Sequence, residues 1–219
     1  MYDNSTYIQQ FVETYENKEI SIFDTETTGL DVFHDDILQI AAVKICNGEI
    51  VRNSQLSIYL ESDKPIPEML GDIVNPIIEE RKHHTLLPRK NALKKFLDYI
   101  GDSVLLGHNA DYDINILKNN VKRDLCEERN NVTLLSPYID SLRLIKLLRP
   151  QLRQYKLKYL LEMLHLEGVN SHLADADVDA TRNLVVYCYS KAKDIVNSQL
   201  QFMQQKRVQD RVLVVRNNY

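Results

Sequence analysis

Near its N-terminus the chain reads Ile20-Ser21-Ile22-Phe23-Asp24-Thr25-Glu26-Thr27-Thr28-Gly29-Leu30. Ile20 and Ile22 alternate with polar neighbours, so the stretch opens as a strand, and Gly29 ends it in a turn. Asp24 and Glu26 are two apart, so in extended backbone they project from one face. At ~5 Å and an effective dielectric of ~20, two such carboxylates repel by roughly 3 kcal/mol. Two readings follow. A hard divalent cation takes carboxylate oxygens and relieves the repulsion. Alternatively, the strand ends at the surface with both acids solvated.

The remaining chain sorts into an α/β pattern. Residues 5–16 place Ile8, Phe11, Val12 and Tyr15 at helical spacing behind Ser5 and Thr6, which can cap a short docking helix over 1–18. Residues 37–46 and 49–60 read as two strands joined by Asn47-Gly48, a type I′ hairpin signal. A loop with Pro65, Pro67 and Pro76 comes next. A helix over 92–100, a buried strand over 103–107, a helix over 111–122 and a strand over 132–139 then alternate. Helices at 141–148, 155–165 and from 174 to 190 or beyond complete the body. Residues 191–219 form an extension, helix-compatible to 206, with a β segment at Val208–Val215. This order predicts a mixed sheet flanked by helices.

The length of 219 residues suits one domain with extensions, here a body over 19–190. Net charge is −4, so overall charge does not announce a nucleic-acid binder. Its distribution is more telling. Residues 1–36 hold nine acids and the single base Lys18, whereas 81–97 and 141–161 hold bases and no acid. Cys46, Cys126 and Cys188 are far apart and odd in number, which fits a reducing cytoplasm and not a disulfide or zinc framework. No apolar run reaches membrane-spanning length, and no basic-then-apolar leader opens the chain.

Two further stretches carry acids. In Leu106-Gly107-His108-Asn109-Ala110-Asp111-Tyr112-Asp113 a strand ends, Gly107 turns the chain and a helix begins. Asp113 falls near the helix N-terminus, which favours negative charge; taken alone, the stretch reads sooner as simple capping by Asp111 or Asp113 than as catalysis, and His108 alone reads as a loop histidine. In His172-Leu173-Ala174-Asp175-Ala176-Asp177-Val178-Asp179 the spacing briefly mimics a calcium loop. That loop needs Gly at 180 and Glu at 186, where Ala180 and Val186 stand, so this reading fails. A solvated helix face accounts for these acids by themselves.

Taken together, the three stretches resemble the motifs of the DEDD 3′–5′ exonucleases, histidine subclass. That family includes the epsilon proofreading subunit of bacterial DNA polymerase III and ribonuclease T. Phe-Asp-Thr-Glu-Thr-Thr-Gly-Leu over 23–30 resembles the first motif. His-Asn-Ala-x-Tyr-Asp over 108–113 resembles the second, with Tyr112 where Phe is commoner. His172-x4-Asp177 with Ala180-Thr181 resembles the third, and Ile139-Asp140-Ser141-Leu142 resembles the intervening Asp-Thr-Leu segment. The chain departs from the family at Gly71-Asp72-Ile73, where Gly-Ile-Thr is frequent.

The resemblance implies an RNase H-like fold with a mixed five-stranded sheet. It also implies release of nucleoside 5′-monophosphates from single-stranded or frayed DNA 3′ ends. Asp24, Glu26, Asp113 and Asp177 are expected to hold two Mg²⁺ ions, with Asp24 bridging, and Mn²⁺ is expected to substitute. Such ions sit about 3.5–4 Å apart and stabilise the attacking and leaving oxygens of an in-line displacement. His172 is expected as general base. Leu30 resembles the family's wedge against the terminal base, and Thr27, Thr28, His108 and Asn109 are expected to face substrate. RNA is the alternative substrate. A nucleic-acid-binding or polymerase-associated module is the reading of another class, and a polymerase or other replication or repair protein is the expected partner.

One expectation stands apart from the motifs. Ser141–Leu161 carries Arg143, Lys146, Arg149, Arg153, Lys156 and Lys158 with no acid between them. A solvated helical face explains such a run. A phosphate track explains it too, and Arg153 and Lys156 are its expected contacts.

Overall fold

The computed structural model describes residues 4–71, 73–125, 138–169 and 171–216. Its strands are β1 (Glu19–Thr27), β2 (Ile37–Cys46), β3 (Glu49–Ile50), β4 (Leu56–Leu60), β5 (Met69–Leu70), β6 (Ile73–Val74), β7 (Leu86–Leu87), β8 (Val104–Gly107) and β9 (Tyr138–Asp140). The main sheet runs β7-β4-β2-β1-β8-β9, with β3 against β2. It is mixed, because β1 is antiparallel to β2 and parallel to β8. Five strands of three or more residues carry it; β3 and β7 are two-residue additions.

The helices are α1 (Asn4–Asn17), α2 (Ile77–Glu80), α3 (Arg89–Ile100), α4 (Ala110–Leu125), α5 (Ser141–Leu148), α6 (Leu157–Leu164) and α7 (Ala174–Arg216). Strand alternation decides which face each covers. Ile20 and Ile22 of β1, with Ala41, Val43 and Ile45 of β2, pack against α1, α5, α6 and α7. Phe23, Ile40 and Ala42 point the other way, into α3 and α4. Asp24 and Glu26 share the parity of Ile20 and Ile22, which directs them to the α7 side.

Asn47 and Gly48 have φ of 51° and 81°, the positive values a type I′ hairpin turn demands. The strand expected over 49–60 is broken between β3 and β4. There the Ser54 hydroxyl takes the Lys44 amide (3.1 Å) and donates to the Lys44 carbonyl (3.3 Å), so a side chain replaces the ladder. The proline loop carries a separate hairpin of β5 and β6, which the sequence pattern did not announce. Of the strand expected over 132–139, residues 132–137 lie outside the described residues, as does Cys126. Cys46 and Cys188 are free thiols.

The β segment expected at Val208–Val215 is a correction: α7 continues as helix to Arg216. A helix satisfies its backbone hydrogen bonds locally, whereas a strand needs a partner edge. No helix among the described residues is long and apolar enough to cross a membrane.

Candidate active site

The site forms where β1 outruns its neighbour. β1 pairs with β8 over Ile20–Ile22 only, so its acid-bearing end is open on that side. After β8 the chain turns at Gly107. A Cβ there would lie 3.2 Å from the Ala110 Cβ and 3.3 Å from the Phe23 carbonyl, so glycine lets α4 begin hard against β1. On the other side the β1–β2 register shifts between Glu26 and Thr27, which bends the ladder beside the acids. The Arg81 guanidinium donates to the carbonyls of Leu38 (3.1 Å) and Leu60 (2.5 Å) next to this irregularity.

Three elements converge on the opening. β1 supplies Asp24 and Glu26, α4 supplies Asp113 and α7 supplies Asp177. One oxygen each from Asp24, Glu26 and Asp177 lies within 4.8 Å of the others. Asp113 is buried, and its Oδ1 accepts from the Thr25 amide (3.1 Å) and the Thr25 hydroxyl (2.6 Å). The Ser171 amide donates to Asp177 (3.1 Å). All four acids line one cleft of about 1000 Å³.

Crowding sets their chemistry. Burial, and then the charges of Asp113, Glu26 and Asp177, push the Asp24 carboxyl well above its usual range. Burial, followed by Asp177 and Asp113, pushes Glu26 up to about 8. Burial raises Asp113 to about 7, against the two hydrogen bonds from Thr25. Asp24 and Glu26 keep some solvent access from the cleft, so an incoming cation can reach them. Clustered carboxylate oxygens that resist ionisation fit a hard divalent ion, which reverses the repulsion and takes oxygen ligands.

His172 stands just before α7, partly exposed and on the cleft wall, with a left-handed backbone (φ 56°). Leu30 also lines the cleft and is 88% exposed, so it is free to meet a ligand. The Thr27 hydroxyl lies 2.8 Å from the Gly29 carbonyl and 2.7 Å from the Tyr112 hydroxyl. Tyr112 in turn reaches the Gly29 carbonyl at 2.6 Å. Two hydroxyl protons thus serve three contacts, and the hydroxyl that Phe would lack clasps the turn bearing Leu30. Asn109 lines the cleft in a left-handed conformation (φ 66°).

Three residues expected to face substrate have other partners or another place. Thr28 does not line the cleft; its amide donates to the Asp36 carbonyl (2.9 Å) and its hydroxyl to Asp35 (2.8 Å). His108 lines the cleft, but both ring nitrogens are engaged. Nε2 donates to the Tyr155 carbonyl and Nδ1 meets the Ser141 hydroxyl, each at 2.9 Å. Burial holds its pKa below the ordinary histidine value, which suits that neutral arrangement. Arg153 is exposed outside the cleft, because it sits in the turn between α5 and α6. Lys156 lines the cleft, and so does Lys146, which the basic run did not single out. The Lys146 ammonium sits 5.7 Å from the centre of the Tyr155 ring.

Asp140 is a further residue that sequence reasoning left without a role. Its Oδ1 accepts from the amides of Leu142 (2.9 Å), Asn109 (2.9 Å) and Ala110 (3.4 Å), so one carboxylate caps α5 and the entry to α4. Its own amide donates to the Tyr7 hydroxyl of α1 (3.1 Å). The Asp-Ser-Leu segment was the only signal that could have found it.

The exonuclease model RNase T matches residues 21–185. The PolC-type DNA polymerase III of Latilactobacillus sakei is 30% identical over 189 residues, which is 84% of this chain and 12% of that protein. Its counterpart in Clostridium perfringens is 30% identical over 88% of this chain and 13% of that protein. The chain therefore spans about an eighth of the length of these relatives. Among solved structures, E. coli Exonuclease I in complex with a dA16 oligonucleotide has a TM-score of 0.64 at 19% identity, over 83% of this chain and 43% of that one. Exonuclease X in complex with 5′ overhanging duplex DNA has a TM-score of 0.55 at 22% identity, over 78% of this chain and 91% of that one. These likenesses speak for the fold, and the family model together with the three acidic motifs decides membership: the chain belongs to the RNase T exonuclease family.

Proposed function

We propose that this chain is a Mg²⁺-dependent 3′–5′ exonuclease of the histidine subclass, acting on single-stranded or frayed DNA ends. The observation that carries the reading is the meeting of Asp24, Glu26 and Asp177 oxygens within 4.8 Å, at the floor of a cleft shared with Asp113 and His172. These four acids would hold two ions, and Mn²⁺ would serve in their place. When bound, such ions supply positive charge to the scissile phosphate and lower the pKa of water. A ring nitrogen of His172 takes the proton of the attacking water. The water oxygen bonds to phosphorus, the P–O3′ bond breaks, the departing O3′ takes a proton from solvent, and a nucleoside 5′-monophosphate leaves a shortened strand with a free 3′ hydroxyl. Leu30 packs against the terminal base, and the Tyr112–Thr27 contacts hold its turn. Lys146 and Lys156 meet backbone phosphates further along the strand.

The polymerase relatives are named for DNA, which favours DNA over RNA, and their length supports a polymerase as partner. All four acids and the histidine are present, which weighs against a binding module without activity. In this reading residues 19–190 perform catalysis, 1–18 dock on them and 191–219 extend them. Oligonucleotides labelled at either end, of DNA or RNA, test the whole assignment in Mg²⁺. Mononucleotides should come from the DNA 3′ end, and excess EDTA should stop their release. Products that appear first from the 5′ end, or hydrolysis that survives EDTA, would refute it.

A further inference from the structure

We infer that Gln39 is a positioning residue: it pins the entry of α7, between His172 and Asp177, to the sheet face that bears Asp24 and Glu26. The inference rests on the proposed function. Gln39 is fully buried on β2, directly opposite Glu26 in the β1–β2 register. A buried amide must place both its acceptor and its donors. Its Oε1 accepts from the Ala174 amide (3.1 Å), the first residue of α7. Its Nε2 lies 3.0 Å from an Asp175 oxygen, 3.0 Å from the Tyr59 hydroxyl and 3.2 Å from the Ser57 hydroxyl.

The first amides of a helix have no partner within it. A neighbouring cap side chain usually takes one of them. Here a residue 135 positions away, on another element, does so. The same side chain then grips the next residue of the helix through Asp175. Ala174 and Ala180 are completely buried against the sheet side, so small residues set how close α7 comes. Alanine faces offer little to resist sliding or rotation. The Gln39 amide supplies that resistance at the end where His172 and Asp177 stand. A displacement of ~1 Å at such a site costs roughly 10²-fold in rate.

Three variants of the full chain test this: Gln39→Leu, Gln39→Glu, and Gln39→Glu combined with Asp175→Asn. The first removes every polar contact. The second keeps the acceptor but sets one carboxylate against another. The third restores a donor–acceptor pair with its direction reversed. The readouts are Mn²⁺ affinity by calorimetry, kcat and KM on a single-stranded DNA oligonucleotide, and Tm. Each single variant should lose roughly 10–100-fold in Mn²⁺ affinity and in kcat, the usual effect of groups that orient ligands. KM should hold, and the double variant should regain most of both losses. Single variants that lower Tm yet keep wild-type Mn²⁺ affinity and kcat would overturn the inference, as would a loss confined to KM or one that the double variant does not repair. Wild-type protein that neither binds Mn²⁺ nor hydrolyses DNA would overturn the proposed function, and this inference with it.

Discussion

Two groups of acids lie within this fold under opposite conditions. Asp36 is 5% exposed, yet it is compensated. Lys64 lies 3.0 Å from it, Arg123 2.6 Å and Arg89 3.4 Å, and the Ser62 hydroxyl donates at 2.7 Å. Burial pushes its pKa up, but the bonds from Ser62 and Lys64 and the charges of Arg89 and Arg123 outweigh that, and the result is a lowered value. In the cleft, Asp24, Glu26 and Asp113 are raised instead, and no lysine or arginine pairs with them among the described residues. Where an acid ties loops together, the chain supplies its own counter-charge. Where acids stay uncompensated, a proton or an incoming cation must neutralise them, and such a cluster in a cleft is a candidate functional site.

Asp24→Asn should break the comparison most severely. It would remove the charge proposed to serve both ions, so hydrolysis should fall to the detection limit in Mg²⁺. Near-normal turnover in a gel assay would mean that the cleft acids are a solvated strand end after all. His172→Ala should come next, lowering kcat by ~10²–10⁴-fold, the share of a general base. Calorimetry should find Mn²⁺ affinity unchanged in that variant; loss of the ion along with the imidazole would make His172 a ligand and not a base.

Stability sharpens the contrast, because the two groups should respond with opposite sign. Asp36→Ala takes the acid from Lys64 and leaves Arg89 and Arg123 with Asp124 alone. A fully buried pair loses about 3–5 kcal/mol on such a change; Lys64 and Arg123 are more than a third exposed, so screening should reduce this to about 1–3 kcal/mol. Glu26→Gln should instead stabilise the metal-free protein. Glu26 ordinarily ionises near 4.5 but is raised to about 8 in the fold, so the unfolded chain ionises first as pH rises. The folded state thus loses stability between those values, by about 1.4 kcal/mol for each pH unit before other groups intervene. Urea titrations in EDTA should show the variant ahead of wild type at pH 8 and level with it near pH 4. A variant no more stable at pH 8 would show that the cleft acids are not frustrated.

The smallest effect concerns the cations at the cleft wall. Lys146→Gln and Lys156→Gln together should flatten the log–log salt dependence of single-strand binding by roughly 1.4, about 0.7 for each phosphate contact. Arg153→Gln, outside the cleft, should leave it unchanged. A slope that responds to Arg153 and not to the lysines would move the phosphate track off this wall. The basic stretch 81–95 is a poor alternative, since Arg81 is spent on backbone carbonyls and Arg89 on Asp36 and Asp124.

The sequence by itself determined what is local. Alternation placed Ile20 and Ile22 on one face and carried Asp24 and Glu26 with them. Asn47-Gly48 specified its turn, because few residues accept positive φ at both positions. Apolar spacing located α1, α3, α4 and α6 to within a few residues. The motif acids were legible because their residue types and order carry the chemistry.

Tertiary structure decided everything that depends on which distant elements meet. Nothing in the spacing of Arg143 to Lys158 says that Lys146 turns to the cleft while Arg153 sits in a turn outside it. Thr27 and Thr28 are neighbours, yet one faces the cleft and the other ties down the loop to Asp36, because side chains alternate across an extended backbone. Asp140 and Gln39 read as a turn acid and a strand amide. Each acquires its part by capping a helix that packing brings to it, α4 for Asp140 and α7 for Gln39. The same holds for the acids of the first 36 residues: composition counts them alike, and only the approach of Lys64, Arg89 and Arg123 separates the neutralised Asp36 from the frustrated Asp24 and Glu26.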